Sequence, residues 1–258
     1  MDLTQLPQNE DLYILTDYIE LLCLVNVDGI VTKADIIDRL EENLGLSELD
    51  DDNQEYSDDN FTVSEKKDRT ERNVDDWFLN LSYRQGVFNA FYPFMISDSG
   101  DSLNLVKDLT LKHKFYVFLL LSSNLRYLGN GKRHKLTSTF EMISAAALKK
   151  MLPPTAEVHL FRPPGNMKNR RYRGNLFSRI NMLAADLREK VLVKESEYLS
   201  KDNGDGGLDL VGWVPTGDEF AGGLVCVFGQ CACTTEWVTK RHSSSISTWN
   251  QIMTFTSA

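Results

Sequence analysis

Between residues 10 and 45, apolar side chains recur every three or four positions in two runs. Leu12, Leu15, Ile19 and Leu22 form the first, and Ala34, Ile37 and Leu40 the second. That spacing predicts two helices separated by a break at Asp28-Gly29, with Thr32 capping the second. Residues 74–96 hold Trp77, Phe78, Leu81, Tyr83, Phe88, Phe91, Tyr92 and Phe94 with little positive charge among them. Such a run fits a packed core better than a base-stacking platform. Two more helices are expected over 103–128 and 137–152, the second ending before Pro153-Pro154. The stretch from Gly129 to Lys135 between them reads as a basic turn. After the prolines come a short strand over 158–161 and a helix over 176–191 with Phe177, Ile180, Leu183, Ala184 and Leu187 on its apolar face. Two short apolar strands follow, and a last apolar helix is expected over 246–255.

The organisation expected from this pattern is an all-helical region over 1–152 joined to an α/β domain over 153–258. Residues 47–76, which open with a run of aspartates, read as a solvated acidic loop. They lack the glycine turn and terminal glutamate of a calcium loop. A helix-turn-helix reading of residues 30–44 is weakened by their acidity, because a recognition helix needs Arg or Lys near phosphates.

Charge changes the picture in one place. The chain has 258 residues and a net charge of −9, with ordinary hydrophobic and charged fractions of 42% and 25%. From Glu41 to Asp76 there are 14 acidic and 4 basic residues, whereas from Arg162 to Lys194 there are 9 basic and 2 acidic. A phosphate backbone feels charge within a Debye length, so the acidic total does not exclude a DNA-facing patch built on Arg170, Arg171 and Arg173. The N-terminus lacks the basic start and apolar core of a signal peptide. The longest apolar run, 115–121, is far short of the ~20 residues a membrane span needs. Cys23, Cys226, Cys231 and Cys233 form no secreted disulfide framework. A cytoplasmic protein is the economical expectation. Cys226, Cys231, Cys233 and His242 offer a zinc reading, set against strand alternation that puts Cys226 on the opposite face from the other two, and against the lack of a C-x-x-C pair.

The chemistry concentrates in residues 204–237. Side chains two apart share a face of a strand, so Asp209, Val211 and Trp213 point one way, as do Cys226, Phe228, Gln230 and Ala232. Two neighbouring strands that each aim one oxygen donor out of an apolar background suit a hard divalent cation. The residues Gly204-Asp205-Gly206-Gly207-Leu208-Asp209 and Gln230-Cys231-Ala232 resemble the GDGGxD and Q-x-K strands of the restriction-endonuclease-like (PD-(D/E)xK) nuclease superfamily, nearest its Mrr-type branch. The resemblance covers roughly 155–258. It implies an α/β core with a mixed sheet and a metal-dependent DNA endonuclease using Mg²⁺, or Mn²⁺. Asp209 and Gln230 would be metal ligands, and the Cys231 carbonyl a third. It also implies a setting in bacterial restriction or anti-phage defence, with DNA and a helicase or other defence subunit as partners.

Two departures stand against the pattern. Ala232 occupies the lysine position, and Lys240 lies where some members carry a migrated lysine on the following helix. Many relatives also place a glutamate early in the helix before the hairpin, after a phenylalanine. The residue after Phe177 is Ser178, with Glu189 and Glu195 as substitutes only by sequence proximity. Glu236 lies beyond the expected strand end, and Asp205 reads more simply as turn chemistry. The superfamily fold also needs one more strand after the last helix, so the domain reads as incomplete at its C-terminus. The competing readings are a catalytically silent, nuclease-derived DNA-binding or regulatory module and a protein-interaction subunit of a defence complex.

Overall fold

In a computed structural model, the structure describes residues 1–7, 11–44, 63–162, 170–198, 204, 206–218, 220–234, 237–240 and 242–255. The chain divides into two compact units, Met1–Gly129 and Asn130–Ala258, and is a mixed α/β protein. By sequence the first unit carries 25 acidic and 11 basic residues, net −14. The second carries 12 and 17, net +5, which together give the chain's −9.

In the first unit, helices α1 (Leu12–Val25) and α2 (Lys33–Leu44) form as their periodicity predicts. Thr32 and Asp35 cap α2 reciprocally: the Asp35 N–H donates to Thr32 Oγ1 and the Thr32 N–H to Asp35 Oδ2. Helix α3 (Val63–Phe88) begins well before the aromatic run, so residues 63–76 are helical and not loop, while 47–62 lie outside the described residues. The region is also not all-helical. Strands β1 (Ile30–Thr32), β2 (Phe94–Ile96) and β3 (Ser102–Leu105) make an antiparallel sheet in the order β1-β3-β2. Helix α4 is confined to Leu111–Ser123 because residues 102–105 pair in the sheet. Tyr18, Ile19, Leu21, Phe78, Leu81, Tyr92, Phe94 and Leu103 fill the core.

One buried ionic cluster crosses that core. Glu20 is 0% exposed and accepts from the Tyr92 hydroxyl at 2.8 Å and the Tyr116 hydroxyl at 3.0 Å. Arg84 lies 3.0 Å from Glu20 and 2.7 Å from Asp17. Burial pushes the Glu20 carboxyl up to about 7, against the pull of Arg84 and with the repulsion of Asp17. Folded Glu20 therefore keeps a proton that the unfolded chain releases near its ordinary 4.5. Its contribution to stability is whole below about 4.5 and is lost as pH rises through about 7, a change of roughly 3 kcal/mol. Urea midpoints of the wild type are expected to fall over that window relative to Glu20→Gln, which keeps the shape and an acceptor oxygen. Parallel pH profiles for the two proteins would contradict this.

The second unit begins with helix α5 (Asn130–Met151). The expected basic turn at 129–135 is thus largely the first turns of this helix. α5 packs on β4 (Glu157–Leu160) and β5 (Leu210–Trp213). β4, β5 and β6 (Cys226–Gly229) form a sheet in that order, and it is antiparallel rather than mixed. Helix α6 (Leu176–Leu187), capped by Asn175, buries Ile180, Leu183, Ala184 and Leu187. Helix α8 is only Ile246–Trp249, so the expected helix over 246–255 stops early. Met253 instead pairs with Val191, through Leu192 N–H to the Ile252 carbonyl and Thr254 N–H to the Lys190 carbonyl, both 2.8 Å.

Candidate metal site at the Asp209 end of the sheet

β5 and β6 pair with Val211 opposite Phe228 and Trp213 opposite Cys226. These four side chains join the core against α6, so the alternation read from the sequence holds for the apolar members. Asp209 lies one residue before β5 and is held on both sides. Its N–H donates to the Gly229 carbonyl at 3.0 Å, and its carbonyl accepts from Phe161 N–H at 2.8 Å. Gln230 and Cys231 follow β6 directly. The Cys231 N–H donates to Asp209 Oδ2 at 2.6 Å, a short charge-assisted bond that fixes the carboxylate at the strand ends. The structure thus brings Asp209, Gln230 and Cys231 together. The Gln230 Oε1 is buried and has no hydrogen-bond partner among the described residues.

The glycine loop before Asp209 is fixed from two directions. Arg179, 4% exposed on α6, reaches the Gly204 carbonyl and stands over the Phe161 ring at 5.4 Å. Gly207 has φ +78°, and a Cβ there would collide with Ser243. The turn after α7 (Trp237–Lys240), whose Ser243 N–H donates to the Lys240 carbonyl at 3.0 Å, therefore packs against the loop two residues before Asp209. The segment following half-buried Lys240 is at the Asp209 end of the sheet. Asp205 and Glu236 lie outside the described residues.

Helix α5 adds what the sequence reading missed. Burial pushes the Cys231 thiol up to about 12, opposed by a hydrogen bond to Ser144 and reinforced by the charges of Asp209, Glu141 and Cys233. Burial, then Glu141 and Asp209, raise Cys233 to about 11. Both thiols stay protonated near neutral pH. Glu141 and Ser144 are three residues apart on one face of α5, so this helix, and not α6, turns a glutamate toward the hairpin. Glu189 is engaged elsewhere: its Oε2 accepts from the Thr254 hydroxyl at 2.7 Å, and its charge acts on Cys226, at the far end of β6 from Gln230. Glu195 belongs to an exposed 3-10 turn.

The arginines divide. Arg171 bonds both oxygens of Asp186 at 2.6 Å, lies 3.5 Å from Glu157 and stacks over Trp213 at 5.2 Å, so its charge is compensated within the unit. Arg173 is exposed and donates through Nε to the Arg170 carbonyl at 3.0 Å. Among the described residues no group of three or more His, Cys, Asp or Glu side chains is assembled to hold a metal ion. The oxygen donors near this end, the Asp209 and Glu141 carboxylates and the Gln230 amide, are of the type a hard cation prefers, with Glu141 placed by its effect on the Cys231 and Cys233 thiols. No protein-family model, curated protein or solved structure matches the chain.

Proposed function

We propose that the second unit is a metal-dependent phosphodiesterase of the restriction-endonuclease-like type that cuts DNA. The observation that carries this reading is the buried, unpartnered oxygen of Gln230, the residue before the Cys231 whose N–H holds the Asp209 carboxylate. A buried acceptor left without a partner costs about 1–3 kcal/mol, and a cation seeking oxygen ligands would offset that cost. Asp209, Gln230 and the Cys231 carbonyl would hold Mg²⁺ or Mn²⁺, with Glu141 as a second carboxylate. When bound, the ion would acidify a water and polarise the phosphoryl oxygen.

The chain's own residues supply the rest. Asp209 is held by its bond from Cys231, so its charge needs no reorganisation when a phosphate arrives. Arg170 and Arg173 would hold the DNA backbone, a salt-sensitive contribution favoured by the unit's net charge of +5. Lys240 would neutralise charge on the leaving oxygen, because Ala232 has no group able to do so. A bacterial restriction or anti-phage setting, with a helicase or similar subunit as partner, follows from the sequence resemblance.

Ala232 also supports a second reading, a nuclease-derived module that binds DNA without cutting it. Plasmid cleavage separates the two. The chain is expected to nick supercoiled DNA with Mg²⁺ or Mn²⁺ and to stop in EDTA. Lys240→Ala should slow it by roughly 10²-fold, the scale of a lost charge-stabilising group, and Ala232→Lys should restore part of that loss. DNA binding without cleavage by either the wild type or Ala232→Lys would select the silent module.

A further inference from the structure

A groove of about 600 Å³ opens in the first unit between the end of α1, β1 and α2. Its size falls within the range of built ligand sites. Val31 and Ile36 lie beneath it almost fully buried, and Val25, 48% exposed, offers its open apolar surface. The rim is acidic: Asp35, Asp38 and Glu42 line it from α2. At positions i, i+3 and i+7 they share one face and span roughly 10 Å of helix. Neither Asp38 nor Glu42 makes an ion pair with any described residue. Asp35 accepts from the Thr32 N–H and hydroxyl rather than from a cation. Arg39, the one basic side chain among the described residues that line the groove, donates through Nη1 to the Leu3 carbonyl and the Tyr18 hydroxyl. Three carboxylates against one guanidinium leave the rim at −2, within a unit that carries −14.

We propose that this groove docks a Lys/Arg-bearing amphipathic helical segment of a partner protein. The exposed Val25 takes one apolar anchor of the incoming helix, as helix-in-groove recognition requires. The carboxylates, one to two turns apart, match basic residues at the same spacing on the incoming helix. The negative field of the unit speeds encounter with a basic segment and repels a phosphate backbone, so nucleic acid is the wrong occupant.

The test uses the full chain and a fluorescein-labelled 12-residue peptide of leucine and lysine at helical spacing, followed by anisotropy. A leucine–glutamate peptide of the same pattern is the control. Saturable one-to-one binding of the basic peptide alone is expected. Asp38→Lys with Glu42→Lys should weaken it at least tenfold, and Val25→Asp should weaken it while leaving the rim charges in place. Glu71→Lys with Asp76→Lys changes net charge equally on exposed positions of α3 and should leave affinity within about twofold. Equal weakening by that pair would reduce the binding to general electrostatics and overturn the proposal. So would absence of binding, or equal binding of the glutamate peptide. A dimer seen by light scattering and dissolved by the Asp38/Glu42 pair would give the groove to a second copy and also overturn it.

Discussion

Asp209→Asn is expected to reduce Mg²⁺-dependent DNA cleavage by about 10³-fold, the largest functional effect of any single substitution in this chain. The amide is nearly isosteric and can still accept the Cys231 N–H bond through its oxygen. The strand ends should therefore keep their geometry, and the urea midpoint should stay close to that of the wild type. What disappears is the negative charge. With Gln230 neutral, Asp209 would be the charged ligand that the described part of the hairpin supplies, with Glu141 carried by a different element. Losing a metal carboxylate removes several kcal/mol of stabilisation of the developing charge, and each 1.36 kcal/mol is tenfold in rate. Unchanged cleavage in Asp209→Asn would remove the hairpin from the mechanism.

The largest expected loss of stability is in Trp249→Ala, about 3–5 kcal/mol. Trp249 is 0% exposed and meets Phe161 edge-on at 5.6 Å and Phe228 at 5.4 Å. Gly206 lies directly beneath it, where an added Cβ would come within 3.6 Å of the indole. One side chain thus joins the residue that follows β4, strand β6 and the glycine loop that leads to Asp209. Removing it takes away a large share of the ~5–15 kcal/mol typical of a domain. A urea titration should show the second unit unfolding at lower denaturant while the first keeps its own transition. The indole N–H has no partner among the described residues, so Trp249→Phe removes a buried unsatisfied donor along with some volume. It should cost clearly less than the alanine change. Equal losses for the two variants would show that ring packing is not what Trp249 supplies.

Periodicity made some of this architecture legible and hid the rest for physical reasons. α1, α2 and α6 carry apolar stripes long enough to repeat, and Thr32 and Asn175 cap two of them. The strands of the first unit are three or four residues long, too short for a period of two to stand out. Residues 63–73 are almost wholly polar, so nothing in them marks a helix until Val74, Phe78 and Leu81 reach the core. Ile246, Trp249 and Met253 have helical spacing, yet residues 252–254 bond to 190–192 instead, a tertiary pairing that overrides the local pattern. In the candidate site, Asp209, Gln230 and Cys231 were readable because they lie on one hairpin. Glu141, nearly seventy residues earlier in sequence, is brought in by the packing of α5 on the sheet. Arg179 could not be found by pattern, because its role is to hold a backbone carbonyl of the glycine loop.

The most direct test of the account is Mn²⁺ binding to the wild type and Asp209→Asn, followed by electron paramagnetic resonance with DNA present and absent. The expected result is one Mn²⁺ per wild-type chain, displaced by Mg²⁺, tighter when DNA adds a phosphate oxygen, and lost in Asp209→Asn. No bound Mn²⁺ in either condition, or equal binding by the variant, would contradict a metal site at this end of the sheet.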